Sequence, residues 1–103
     1  MILITGSILA RPETFDELME LALTHVRRSR AEPGCVSHDV HVHAEEKLRL
    51  VFVERWADLD AVRTHFAVPE SGAFVRAAGR LAADMAVLEV WQAEVIPRAM
   101  LLA

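Results

Sequence analysis

Two segments in the middle of the chain alternate apolar and polar residues, and they constrain the fold more than any other feature. Residues 35–43 and residues 48–56 both follow this pattern, and a short charged connection separates them. A period of two indicates β-strands, and the short connection predicts that the two strands pair as antiparallel neighbours. Pro33 and Gly34 precede the pair as a turn, and Asp58 follows it as a candidate helix N-cap.

The remaining segments are predicted from their own periodicity. In chain order they are a first strand at 2–10, a helix from Pro12 to about residue 31, a short helix at 59–66, a further helical stretch at about 70–83 and a last strand at 85–95. The first strand is apolar on both faces, so we expect it to be central in the sheet. The order β-α-β-β-α-β predicts an α+β, ferredoxin-like fold with a four-stranded antiparallel sheet and the helices on one face.

The length and the apolar content of the chain predict one domain that pairs with a second copy. The chain has 103 residues, of which 53% are hydrophobic, and its mean hydropathy is +0.27. We assign residues 1–97 to the domain and residues 98–103 to a C-terminal tail. The helices cover one face of such a sheet, and an exposed apolar face of that size favours association. We therefore expect a homodimer that forms through the sheet face.

Charge and cysteine content argue against several other classes of protein. The net charge is −4, from 11 basic and 15 acidic residues, and this balance does not provide the basic surface of a nucleic-acid-binding protein. The apolar residues form no run long enough to cross a bilayer. The single cysteine, Cys35, suits a reducing compartment, and the first ten residues lack the basic start of a signal peptide. We expect a cytoplasmic protein that contacts neither nucleic acid nor membrane.

Three stretches resemble a known family: EPGCVSHDVH, FVERWAD and HFAVPESGAF. They are similar to the antibiotic biosynthesis monooxygenase domain family, whose members are small dimeric α/β barrels and include quinol monooxygenases. The resemblance implies a cavity in each protomer, in which a phenolic or quinol substrate reacts with molecular oxygen. It also implies that neither a metal nor a flavin cofactor is needed, because the substrate itself supplies the electrons.

The resemblance and the strand pattern together name the candidate site residues. The family has an indole at Trp56, and Phe52 lies on the same strand face, so the pair could stack on a planar substrate. His38 stands where the family commonly has an aromatic residue, and its imidazole is the candidate catalytic base. His65 matches a histidine that is common in the family and is predicted at the cavity mouth. Phe74 is predicted to point inward from its helix and to contact the substrate.

Some neighbouring polar residues have alternative interpretations. His41 and His43 share a strand face and could bind a metal with Asp39, but no further ligand follows at a recognisable spacing, so we predict no metal site. Glu54 could act as an acid or base or form a structural ion pair. The sequence does not decide whether His38 or His41 faces the cavity.

The functional prediction is a cofactor-independent monooxygenase that oxidises a small phenolic, quinol or polyketide-like aromatic compound with oxygen. Two alternatives stay open. The same cavity could catalyse a non-oxidative isomerisation, or the protein could be a dimer that binds a small ligand without turnover.

Overall fold

The computed structural model describes residues 1–102, and it has the predicted order of strands and helices. The elements are β1 (Ile2–Leu9), α1 (Phe15–Ser29), β2 (Cys35–Val42), β3 (Arg49–Trp56), α2 (Leu59–Ala67), α3 (Pro69–Leu81), β4 (Val87–Gln92) and a 3₁₀ helix (Arg98–Leu101). The two helical segments predicted on either side of Pro69 are α2 and α3, which the proline separates. None of the helices in residues 1–102 has the length and apolar content to span a bilayer.

The strands form one antiparallel sheet in the order β2-β3-β1-β4. β1 is one of the two inner strands, as its apolar sequence predicted. In the register of the sheet, Ile4 lies opposite Glu54 of β3 on one side and opposite Val90 of β4 on the other. This topology confirms the ferredoxin-like α+β fold.

The core lies between the sheet and the helices. On α1, Leu18, Ala22 and Val26 recur at four-residue steps and are fully buried. They pack with Leu50 of β3 and Ile8 of β1 in one apolar cluster. Burying such a stripe, rather than intrinsic helix propensity, is what holds a helix of this length in place.

The turn before β2 requires glycine. Gly34 has φ of 81°, a conformation that residues with a Cβ rarely adopt, and a Cβ at this position would come within 2.5 Å of the Ala61 side chain. The Gly34 carbonyl accepts a hydrogen bond from the backbone amide of Ala57 at 2.8 Å. This contact holds the start of β2 against the connection between β3 and α2.

One helix start differs from the prediction. Pro12 lies in a turn, and α1 begins three residues later, at Phe15. The Thr14 hydroxyl accepts a hydrogen bond from the Arg11 amide at 3.0 Å and contacts the Leu81 carbonyl at 2.7 Å. These contacts stabilise the turn and connect it to the end of α3. Pro12 is therefore part of this turn and not of the first turn of the helix. Asp58, by contrast, is the predicted N-cap of α2, because its side chain accepts from the Ala61 amide at 2.9 Å.

The sheet face opposite the helices carries both apolar and charged side chains. Leu3, Val51 and Val53 are half-buried there, and Arg49 bonds to Ser7 across the strands at 3.2 Å.

The edge strand β4 is exposed along its whole length. Large apolar residues in β4 and after it are at least half exposed, among them Leu88, Val90, Trp91, Val95, Ile96 and Met100.

Candidate functional site

A cavity of about 310 Å³ opens between the helix-facing side of the sheet and helices α2 and α3. Its wall is mostly apolar and comes from β1, β3, the helices and the start of β4. Apolar members of the wall include Phe52, Phe66, Phe74, Val75 and Leu88. A few polar side chains interrupt it, namely His25, His38, Glu54, His65 and Ser71. An apolar cavity with a few convergent polar groups is the usual form of a small-molecule site, and this volume is at the small end of the range of roughly 300–1,000 Å³.

His38 and Glu54 lie side by side on neighbouring strands. They are register partners in the β2–β3 pair, so both side chains project to the helix-facing side. Nε2 of His38 is 3.2 Å from Oε1 of Glu54. The ring is not aligned for a hydrogen bond, and both of its nitrogens are buried without a partner. Because His38 also lines the cavity, its unpaired imidazole is a candidate to bond a ligand, with one nitrogen directed to Glu54 and the other left without a protein partner.

The buried Trp56 orients the Glu54 carboxylate through a hydrogen bond. Its indole Nε1 donates to Oε1 of Glu54 at 2.9 Å, which is possible because residues two apart on a strand share a face. Trp56 is completely buried, and its ring lies 4.6 Å from the His65 ring between centroids. The indole therefore orients Glu54 and supports His65, but it does not form part of the cavity wall.

His65, on α2, is held by a second carboxylate. Its Nδ1 lies 2.9 Å from Oε2 of Glu32, and its Nε2 lies 4.0 Å from Oε1 of Glu54. Glu32 also pairs with Arg28 at 3.5 Å. Because Glu32 occupies Nδ1, the Nε2 side of the ring is the one that faces Glu54.

His25 contributes a third imidazole from α1. Its ring stacks on Phe74 at 4.3 Å between centroids with an interplanar angle of 9°. Its Nδ1 accepts a hydrogen bond from Nη2 of Arg28 at 3.1 Å, and the same Arg28 nitrogen donates to Oγ of Ser71 at 3.2 Å. His25 was not among the site residues predicted from the sequence. Its position, three residues after the buried Ala22 on the apolar face of α1, was the available signal.

Burial controls the protonation of these groups. It lowers the pKa of His38 to about 3 and that of His25 to about 4, and the nearby histidines and arginines act in the same direction. Burial raises the pKa of Glu54, while the hydrogen bond from Trp56 opposes this rise. At neutral pH His25 and His38 are therefore neutral, so each ring carries one N–H donor and one acceptor nitrogen.

The structure brings most of the predicted site residues together. His38, Phe52, His65 and Phe74 all line the cavity, whereas Trp56 lies behind it. The open question of strand parity is resolved, because His38 is 1% exposed and faces the cavity while the His41 side chain is exposed on the opposite face.

Two of the residues considered as a metal site, His43 and Asp39, make other contacts. His43 accepts from the backbone amides of Glu45 and Glu46 in the turn, and Asp39 pairs with Arg30. A different group has ligand-forming geometry, since one nitrogen from each of His25, His38 and His65 lies within 4.8 Å of the others. However, a guanidinium only donates hydrogen bonds, so the Nδ1 lone pair of His25 is already used by Arg28. A metal at Nε2 would need Nδ1 to carry the proton and hence would have to break this contact.

Comparisons with known proteins agree with the fold. Residues 1–77 match the family model described as antibiotic biosynthesis monooxygenase. The chain is 30% identical over 91 residues to sll1783 of Synechocystis, covering 88% of this chain and 62% of that protein, and 32% identical over 65 residues to YcnE of Bacillus subtilis, covering 63% and 68%. The chain thus spans less than two thirds of the Synechocystis relative.

Solved structures show the same architecture. A Deinococcus radiodurans protein superposes with a TM-score of 0.89, and Rv0793 of Mycobacterium tuberculosis superposes with a TM-score of 0.85. Both are 24% identical to this chain, and each match covers 94% of this chain and 97% of the other. At this identity the likeness supports the fold alone.

Proposed function

Because the chain belongs to the antibiotic biosynthesis monooxygenase family, we propose that it is a monooxygenase that oxidises a small phenolic or quinol substrate with molecular oxygen. The observation that carries the proposal is the unpartnered His38 imidazole, which lines an apolar cavity and lies 3.2 Å from the Glu54 carboxylate. The aromatic wall suits a planar ring, and the cavity volume suits a substrate of one or two rings.

In the proposed reaction, His38 accepts the proton of the substrate hydroxyl. Glu54 lies against the same ring, and in its ionised form it stabilises the imidazolium that forms and so offsets the burial that lowers the pKa of His38. The electron pair of the broken O–H bond stays on the substrate as a phenolate, which can give electrons to oxygen. For a simple phenol the overall reaction is phenol plus O₂ to quinone plus water. One atom of O₂ becomes bonded to a ring carbon in place of hydrogen, the other leaves as water, and the substrate supplies all the electrons.

The apolar wall has a separate role in the proposal. Phe52 and Phe74 hold the ring of the substrate, and their rings meet edge to face at 6.0 Å between centroids. A wall of this kind keeps water away from the reduced-oxygen intermediate, which would otherwise be protonated and released. Trp56 acts through Glu54 by fixing the carboxylate with its indole N–H.

The proposal includes a homodimer. Apolar side chains are exposed along β4 and the segment after it, where Trp91 is 50% and Val95 is 82% exposed. The rim of the cavity is exposed at the same place, at Met85 and Leu88. A second copy packed on this surface and on the open sheet face would bury these residues and close the cavity rim.

Oxygen consumption tests the proposal directly. The purified protein is incubated with a panel of dihydroxybenzenes and dihydroxynaphthalenes in an oxygen electrode. We expect one molecule of oxygen to be consumed per molecule of substrate. His38→Ala should lower kcat/KM at least about 100-fold, which is the usual range for a lost general base.

The matched control is His41→Ala, because His41 lies on the same strand and faces away from the cavity. It should retain the activity of the unmodified protein. A substrate that is isomerised without oxygen uptake would instead favour the isomerase. A panel member that raises Tm without being consumed would favour a binding protein. Either result would overturn the monooxygenase assignment.

A further inference from the structure

The contact between Arg28 and His25 fixes which nitrogen of His25 carries a proton. Arg28 remains protonated and has no acceptor, so Nδ1 of His25, 3.1 Å from Nη2, must supply a lone pair. Burial lowers the pKa of His25 to about 4, and the ring is therefore neutral at neutral pH with its only proton on Nε2. The structure thus defines His25 as a hydrogen-bond donor through Nε2.

Several neighbours hold this arrangement in place. Phe74 stacks on the ring with the two planes 9° apart. Arg28 is itself held by Ser71 at 3.2 Å and by Glu32 at 3.5 Å. In residues 1–102, Nε2 of His25 has no hydrogen-bond partner, although the ring lines the cavity. A rigid, neutral donor without a protein partner is available to a ligand.

The separation of His25 from His38 suits a single oxygen atom between them. Their ring centroids are 5.2 Å apart at an interplanar angle of 86°, and one nitrogen of each ring lies within 4.8 Å of the other. Two hydrogen bonds of about 2.8 Å that meet at one oxygen span roughly 4–5 Å. Nε2 is the His25 nitrogen left for such a contact, because Arg28 uses Nδ1. One oxygen could then give its proton to His38 and accept the N–H of His25.

We propose that His25 is a catalytic residue that donates its Nε2–H to the phenolic oxygen of the substrate, while Arg28 acts as a positioning residue by fixing the His25 tautomer. The inference rests on the proposed function and deepens it, since it names a phenolate or enolate oxygen as the group that the site stabilises. When the O–H bond breaks, the proton moves to His38 and the electron pair stays on the oxygen, where the His25 N–H stabilises it.

A neutral donor suits this role because its Nε2–H can bond the oxygen both before and after the O–H bond breaks. It does not compete with His38 for the transferred proton, since its own free lone pair is used by Arg28. The charged groups around the donor are Arg28, Glu32 and Glu54, and the other titratable groups are His38 and His65. Arg28 favours the anion, whereas Glu54 opposes it. Glu54 lies against His38, so its charge is offset once that ring accepts the proton.

The first experiment measures the pKa of a bound phenol. 4-Nitrophenol is titrated into the protein between pH 5 and pH 8, and its absorbance reports the phenolate fraction. We expect the pKa of the bound probe to be at least one unit below that of the free probe. In His25→Phe the aromatic ring can still stack on Phe74 but the donor is absent, so we expect this lowering to disappear. His41→Phe is the matched control and should keep it.

The second experiment reads the tautomer of His25 by ¹⁵N NMR of imidazole-labelled protein. We expect a neutral Nε2–H ring at pH 7 in the unmodified protein and a mixture of tautomers in Arg28→Met. In steady-state kinetics, Arg28→Met should lower kcat at least tenfold and change KM less than threefold. Circular dichroism and Tm show whether each variant is folded. The tautomer of His25 in the unmodified protein is measured directly and does not depend on any variant being folded.

The outcomes separate this inference from the proposed function. An Nδ1–H tautomer in the unmodified protein, failure of 4-nitrophenol to bind, or an unchanged probe pKa in folded His25→Phe would overturn the role of His25. If the probe pKa is lowered through His25 but no panel compound consumes oxygen, the oxyanion site stands and the oxygenase assignment fails.

Discussion

β3 and β4 flank the same strand, β1, yet their surroundings are opposite. The four helix-facing residues of β3 are Leu50, Phe52, Glu54 and Trp56, and all are buried, whereas every residue of β4 is exposed. Both strands carry large apolar residues, including a tryptophan each. A hydrophobic sequence pattern shows which side chains are favoured to be buried, but only the tertiary structure shows whether this chain itself buries them. β3 is covered within this chain, whereas β4 is left uncovered, and we propose that a second copy covers it.

The two tryptophans test this difference most strongly. Trp56→Ala should destabilise the fold by about 3–5 kcal/mol, because it empties a fully buried site and removes the hydrogen bond to Glu54. Trp91→Ala should cost less than about 1 kcal/mol at low protein concentration, because its side chain is half exposed. Urea unfolding of the dilute protein measures both. Equal losses for the two variants would show that β4 is as consolidated within the protomer as β3.

Dimer formation, by contrast, should be sensitive to substitution of Trp91. Trp91→Glu introduces a charge on the surface that we propose a second copy covers, and we expect dimer affinity to fall about 100-fold, or roughly 3 kcal/mol. Val36→Glu is the matched control, because Val36 is 62% exposed on β2 at the other edge of the sheet. Sedimentation equilibrium compares the two variants. A monomeric unmodified protein, or equal weakening by both variants, would contradict an interface at β4.

The fold was predictable because its signals are local. The alternation in residues 35–43 and 48–56 gave the β2–β3 pair, and Asp58 marked the start of α2 where the structure has it. The limits of β4 were less accurate, since we expected residues 85–95 and the strand is Val87–Gln92. An apolar alternation continues where the backbone no longer pairs with a neighbour, so the pattern alone overestimates an edge strand.

The candidate site was only partly predictable. Strand parity places Phe52, Glu54 and Trp56 on one face of β3, and the structure agrees. Parity left open whether His38 or His41 faces the cavity. Parity does not tell how deep a residue lies within that face, so it could not show that Trp56 sits behind the cavity. Nor could it reveal His25, whose donor state depends on its contacts with Arg28 and Phe74. The stacking contact is formed only when two helices distant in sequence pack together.

The buried histidines His25 on α1 and His38 on β2 make the stability of the fold around the cavity sensitive to acid. The folded state holds His25 and His38 neutral, with pKa values of about 4 and 3, whereas in the unfolded chain both protonate near pH 6.5. The stability that they contribute is complete above pH 6.5 and is lost as the pH falls toward 4 and 3. The raised pKa of Glu54 acts in the opposite sense and offsets part of this loss.

His38→Leu tests this dependence, because it nearly preserves volume and removes one of the two titrating rings. Between pH 6.5 and pH 4.5 we expect the variant to lose about 1–2 kcal/mol less stability than the unmodified protein. Urea unfolding at a series of pH values gives the slope. His41→Leu, an exposed position on the same strand, should keep the original slope. A slope that is identical in both variants would show that His38 is not buried in its neutral form.

The smallest effect concerns the junction where β3 passes into α2, the helix that brings His65 to the cavity. Asp58 accepts a hydrogen bond from the Ala61 amide at 2.9 Å, so Asp58→Ala should cost about 1 kcal/mol. Asp60 lies two residues later and pairs with Arg63 on an exposed surface, where Asp60→Ala should cost less than about 0.5 kcal/mol. Urea unfolding compares the two carboxylates. If they contribute equally, the capping bond does not fix the start of α2, and the position of His65 depends instead on its contacts with Glu32 and Trp56.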